Sequence, residues 1–309
     1  MARLIYFLFV APLSHLPLCI LYRISDLLYI LLITIIPYRK KVIEENILRS
    51  FPALGKSERT KLKRDFYRHF ADILIEGIKN LSVSKVELEK RMILQNPEIM
   101  RDLFEKNKNV ILVSGHFNNW EWLITAQSFL IPHKAFGIGM PLTNQFWDKK
   151  LMERRSRFGM SVIHSKNYKS ELMNYTEKPF AVLTLSDQAT GDSTKSYWTD
   201  FLNQKTPVLF GAEFMANEFD LAVVYFTIHK VKRGYYSLEL KLLSDKPKTL
   251  DYGYLTSAYT TLLEKDILLN PSHWLWSHKR WKREIPENLE ILKEQQKEQF
   301  DKRFRSQAK

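Results

Sequence analysis

The sequence predicts an α/β fold, a central largely parallel or mixed sheet flanked by helices, with an N-terminal membrane-anchoring helix. Three observations carry that expectation. Val110 to Val113, Phe180 to Leu185 and Leu221 to Ile228 are short aliphatic runs of the kind that form strands buried on both faces. Segments of three- and four-residue apolar spacing alternate with them, as crossovers between parallel strands require. Ahead of both lie two apolar stretches, Leu4 to Leu13 and Leu16 to Ile36.

The first stretch, with Arg3 before it, has the look of a signal peptide. No Ala-x-Ala cleavage pattern follows, and Pro17 and Leu18 precede Cys19 where a lipoprotein-type site needs small residues, so the segment is expected to be retained. Between Leu16 and Ile36, thirteen Leu and Ile contribute about −4 to −8 kcal/mol to insertion, and Arg23 with Asp26 cost about 5 to 7 if central. That near break-even predicts a tilted or partly inserted helix, its two charges pairing with each other or reaching the interface. Arg39, Lys40 and Lys41 then hold its end against an anionic surface. Residues 1–41 are read as the anchor.

From Val42 to Leu81 the apolar spacing is helical, broken at Pro52 and Gly55 into two helices. After Asn109 come a strand, the turn Ser114-Gly115, and a helix from Trp120 to Phe129. Gly211 to Glu218 reads as a helix and Tyr235 to Leu243 as an alternating strand. Residues 42–285 are expected to form one catalytic domain, since 309 residues with 45% apolar content suit one sizeable core. From Lys282 the chain is Lys, Glu, Gln and Arg rich, so residues 286–309 are expected to be a charged tail, a solvated helix or disordered.

The net charge of +13 favours an anionic partner: a phosphate-bearing lipid, an acidic carrier protein, a membrane surface or nucleic acid. One cysteine, Cys19, excludes an internal disulfide and a cysteine-rich metal site. With no His-x-x-x-His or paired-carboxylate spacing and no phosphate-cradling glycine loop, neither a metal nor a cofactor is expected.

Chemistry is expected where a strand ends and a helix begins, at Ser114-Gly115-His116-Phe117-Asn118-Asn119-Trp120-Glu121. His116 precedes the helix and Glu121 lies in its first turn, so the turn brings the imidazole back onto the carboxylate. Such a contact fixes the tautomer and leaves the other ring nitrogen free to take a proton from an alcohol. Gly115 allows close approach to substrate, and Asn119 offers an amide at the pocket's lip.

These residues resemble the first block, His, four residues, acid, of the glycerolipid-type acyltransferase superfamily. Within it the segment is similar to the late acyltransferases of lipid A biosynthesis, which carry His-Phe-Gly-Asn-Trp-Glu; Asn118 stands where they have Gly. The resemblance covers almost the whole chain. Asn46 with Phe51-Pro52 resembles an early block. Pro141, Asn144, Asp148, Arg155, Arg157 and Gly159 resemble a second, in which arginine is implied to hold an anionic part of a substrate, although Gly139-Met140 replace the usual Tyr-Arg. Asp187-Gln188 is similar to an Asp-Gln pair that lines the acceptor site. Phe201-Leu202-Asn203 to Gly211-Ala212-Glu213 resembles a further block. Pro271, Trp274, Trp276, His278, Arg280, Trp281 and Lys282 resemble the terminal signature. Read as residues alone, that terminal cluster is an aromatic and cationic platform for core, interface or nucleic acid, and His273 and His278 are structural.

The resemblance implies transfer of a fatty acyl chain from acyl carrier protein, or a coenzyme A thioester, to a hydroxyacyl group of a phosphorylated lipid A precursor. It places the enzyme on the cytoplasmic face of the inner membrane, with His116 as base, Glu121 as its orienting partner and no nucleic acid. Two alternatives stay open: a glycerophospholipid or amino-acid lipid acceptor, and a non-catalytic basic protein bound to membrane or nucleic acid.

Overall fold

Val110 and Leu112 point to one side of the sheet and Ile111 and Val113 to the other, and both sides are buried. The computed structural model that shows this describes residues 1–305. Its seven-stranded sheet has the order β1-β9-β8-β2-β5-β3-β4, with β1 Met92–Leu94, β2 Val110–Ser114, β3 Lys134–Gly139, β4 Ser161–His164, β5 Phe180–Leu185, β8 Ala222–Lys232 and β9 Tyr235–Ser244. All neighbours are parallel except the hairpin β8–β9. A separate two-stranded hairpin pairs β6 Tyr197–Phe201 with β7 Gln204–Val208. Trp122 and Leu123 of helix Trp120–Leu130 cover one face of the sheet, and Leu255, Tyr259 and Leu263 of helix Tyr254–Leu269 cover the other.

The two helices expected on either side of Pro52 and Gly55 are Lys40–Ser50 and Lys56–Lys79. The second contributes Leu62, Phe66 and Tyr67 to one core cluster and Ile73 and Ile75 to the other. Asn46 donates from Nδ2 to the carbonyls of Trp276 (2.8 Å) and His278 (2.9 Å). The early asparagine therefore fastens its helix to the carboxyl-terminal tryptophan segment.

At the amino terminus, extended backbone at Leu16 and Pro17 separates helix Ala2–His15 from helix Leu18–Ile35. The latter is, among the described residues, the one helix long and apolar enough to cross a membrane, with 22% of its span buried. Its charges do not pair with each other. Arg23 is exposed, whereas Asp26 faces inward and binds Arg233 (2.8 Å), which also binds Asp72 (2.6 Å). Tyr22 donates to Glu76 (2.8 Å) and Ser25 to Asp72 (2.8 Å). Tyr22 reaches Glu76 across the β8–β9 turn only because residue 234 is glycine: a Cβ there would lie 2.0 Å from the Tyr22 hydroxyl. Ile20, Leu27, Ile30 and Ile35 stay exposed on the outer face.

The charged carboxyl-terminal segment forms helix Leu289–Phe304. Phe300 is buried, edge-on to Phe210 and Tyr252, so one side of this helix is packed. The tail's last four positions, 306–309, lie outside the described residues.

Candidate active site

Parallel strands β2 and β5 run in register, with Ser114 opposite Leu185. The residues two positions past those partners, His116 and Asp187, therefore emerge side by side at the carboxyl edge of the sheet. The His116 Nδ1 lies 2.6 Å from Asp187 Oδ1, and the His116 backbone N–H donates to Asp187 Oδ2 at 2.8 Å. Trp274 of the terminal signature donates its indole N–H to the same Oδ2, also at 2.8 Å. Gly115 leaves the room this needs, since a Cβ on it would lie 2.8 Å from Asp187 Oδ2 and 2.6 Å from Leu263.

Asp187 thus occupies the place expected for Glu121. Glu121 accepts from Arg154 (2.5 Å) and, through both oxygens, from Arg155 (2.5 and 3.3 Å). The reason is the backbone path of the loop. Phe117 bridges to Trp274, Asn118 N–H donates to the His273 carbonyl (3.0 Å), and Asn118 adopts φ 53°. That left-handed turn suits the glycine of the resembled motif, and asparagine tolerates it well. Asn118 keeps the conformation and adds a bond to Ile228 O (2.5 Å). The ring is thereby sent toward β5, while Glu121, one turn into its helix, meets helix Gln145–Arg155.

Three further expectations change. Asn119 is fully buried: its Oδ1 caps the helix at Trp122 N (3.0 Å) and its Nδ2 donates to Glu76 (2.6 Å), so it is no lip of the pocket. Arg155 is engaged by Glu121 and is not a free phosphate anchor. Arg157 donates to the carbonyls of Asn80 (2.7 Å) and Val83 (2.9 Å), closing the end of helix Lys56–Lys79. Gln188 does meet the site, its Nε2 lying 3.2 Å from His116 Nε2.

Because a carboxylate only accepts, Asp187 requires the proton on Nδ1, which leaves the Nε2 lone pair facing the Gln188 amide. Burial alone would raise Asp187, but His116, together with the bonds from its ring and backbone and from Trp274, holds the carboxyl down at about 2. Burial would likewise raise Glu121, and Arg154 and Arg155 hold it down at about 2. His278 accepts from Ala189 N (2.9 Å), and burial pushes it and His273 down to about 4, so both are neutral scaffolding at pH 7.

The depressed carboxyls predict acid sensitivity. The folded chain binds fewer protons at Glu121 and Asp187 than the unfolded chain, so their stabilisation is complete above about pH 5 and is lost as pH falls from about 4 toward 2. Glu76 and Glu213, pushed up by burial, act in the opposite sense. Thermal unfolding followed by circular dichroism across this range should therefore fall more steeply in wild type than in Glu121→Gln; equal slopes would remove the arginine-held carboxylate from the account.

A largely apolar groove of about 700 Å³ opens against two residues that flank the imidazole, Trp120 and Gln188. Trp120, whose ring is edge-on to His116 at 5.1 Å, lines it together with Gln188 and His278. Phe70, Ile73, Leu74 and Leu151 give it an aliphatic and aromatic wall, and Arg39 and Lys150 add cations. Its size lies within the range of small-ligand sites.

Two residues that hold the site were not singled out from sequence. Glu76 falls four positions after Asp72, so two acids share one helix face next to the apolar Ile73 and Ile75, and that pair was the available signal. Arg154 stands beside Arg155 in the second block, and nothing local assigns it to Glu121.

Residues 2–283 match the family model for bacterial lipid A biosynthesis acyltransferase. Over 273 residues, 87% of each chain, the sequence is 22% identical to the lipid A biosynthesis lauroyltransferase of Escherichia coli (strain K12). A match across nearly the whole chain, on a sheet whose strand ends pair a histidine with a carboxylate beside an apolar groove, places this protein in the bacterial lipid A biosynthesis acyltransferase family, as an acyltransferase.

Proposed function

We propose that the chain transfers a fatty acyl group from the thioester of acyl carrier protein to the hydroxyl of a 3-hydroxyacyl chain on a phosphorylated lipid A precursor. The observation that carries this reading is the His116 Nε2, held acceptor-ready by Asp187 on Nδ1 at 2.6 Å and adjoining an apolar groove. In this scheme Nε2 takes the acceptor's hydroxyl proton as the oxygen bonds to the thioester carbonyl. The tetrahedral intermediate then expels the carrier's thiolate, which recovers the proton from the imidazolium. The Gln188 amide offers an N–H to the developing oxyanion. Glu121 serves the geometry indirectly, by tying helix Gln145–Arg155 to the helix behind His116. Arg155 and Arg157 do not line the groove; Arg39 and Lys150 do, and they receive the acceptor's phosphate by exchanging their present partners, the Ser277 carbonyl (2.9 Å) and Glu153 (2.7 Å).

The exposed Leu4, Phe7, Leu8, Ile20, Leu27 and Ile30 support residence at a bilayer. Helix Leu18–Ile35 is bound along its inner face by Tyr22, Ser25 and Asp26, which supports a helix lying in the interface beside the domain. Localisation at the cytoplasmic face of the inner membrane is part of the same proposal. Purified enzyme given lauroyl-acyl carrier protein and a lipid A precursor should yield a product heavier by one acyl group, read by mass spectrometry. Acylation of a glycerophospholipid alone would reject the acceptor.

A further inference from the structure

The groove beside His116 is lined by two separated parts of the chain. One is the catalytic domain; the other is helix Ala2–His15, which contributes Tyr6 and Val10. These two residues are half-buried and stand four positions apart, on one helix face, whereas Leu4, Phe7 and Leu8 are exposed. Tyr6 packs edge-on against Phe146 (5.5 Å) and Trp147 (5.9 Å), and the Lys150 ammonium sits 5.1 Å from its ring centre. The helix it grips, Gln145–Arg155, supplies Trp147, Lys150, Leu151 and Arg154 to the same groove. A segment that served only as a tether would need none of these contacts.

We propose that Tyr6 and Val10 are specificity-determining residues that touch the acyl chain, so that the N-terminal helix is one wall of the substrate site. The assignment rests on the acyl-transfer reading above. Trp120 and Gln188 adjoin His116 and so bracket the thioester, while Tyr6, packed on Phe146 and Trp147, meets the methylenes remote from it. The outer apolar residues remain free to bind the bilayer, which separates the two roles on one helix.

The test uses full-length protein, Tyr6→Ala and Val10→Trp, each assayed with butanoyl, dodecanoyl and hexadecanoyl thioesters of acyl carrier protein and checked for sedimentation with phosphatidylglycerol vesicles. For Tyr6→Ala, kcat/KM with the dodecanoyl donor is expected to fall about tenfold and with the butanoyl donor to stay within about twofold, from lost apolar contact with the longer chain. Val10→Trp, which fills the groove, is expected to shift preference toward the shorter donors. Vesicle binding of both should match wild type. Equal losses at every chain length, or losses that track vesicle binding, overturn this assignment alone. A wild-type protein that transfers none of the three acyl groups overturns the donor reading and this assignment with it.

Discussion

His116→Ala is expected to lower turnover by about 10²- to 10⁴-fold while the fold stays intact. The size follows from removing the imidazole that serves as general base in the proposed scheme. Preservation of the fold follows from what remains around Asp187. Its carboxylate still accepts from the backbone N–H of residue 116 and from the Trp274 indole, each at 2.8 Å, so the buried group keeps two of its three hydrogen bonds. Initial rates of acyl transfer, with far-ultraviolet circular dichroism on the same samples, check both halves. Activity within tenfold of wild type would remove His116 from the chemistry.

Asp187→Asn and Glu121→Gln are expected to separate into a catalytic and a structural defect. In Asp187→Asn the amide can donate to Nδ1, which moves the ring proton to Nε2 and leaves no lone pair for the acceptor hydroxyl; a loss of about 10²- to 10⁴-fold in kcat is expected, with a small change in melting temperature. Glu121→Gln leaves Arg154 and Arg155 without their half-buried counter-charge. Breaking a fully buried pair costs about 3–5 kcal/mol, so a loss below that range should lower the melting temperature by several degrees and kcat by much less. Kinetics below the melting transition, beside calorimetry, read the two effects. If Glu121→Gln matches the kcat loss of Asp187→Asn with an unchanged melting temperature, Glu121 is the ring's partner in the reaction and Asp187 its scaffold.

The strands most visible in the sequence are those that are apolar on both faces or alternate between apolar and polar. Phe180–Leu185 forms as expected, and Val110–Val113 and Tyr235–Leu243 each extend by one residue. Lys134–Gly139 was missed because its lysine and two glycines weaken the apolar signal, although β5 and β4 enclose it. The hairpin at Leu202 and Asn203 was missed for a different reason: both residues sit at positive φ, 50° and 62°, and leucine gives no sign of such a turn. At the site, His116 and Asp187 could each be read from their place after a strand. Their pairing could not, because it depends on β2 lying beside β5, which is a fact of topology; spacing along the chain favoured Glu121 instead. The pairing of Arg154 and Arg155 with Glu121 was hidden for the same reason, since their acceptor lies more than thirty residues upstream.

The Glu76 carboxylate gathers Tyr22 from the apolar helix, Asn119 from the loop of His116, and Tyr236 from β9 (2.8, 2.6 and 2.7 Å). Its lone pairs are thus divided among segments that are far apart in the chain and meet only once all are in place. A polypeptide trimmed beyond Tyr22 to improve solubility would forfeit one of those donors in a dry interior. The damage would surface at Asn119 and the turn that aims the imidazole, so a truncated preparation that stays in solution can still be catalytically silent.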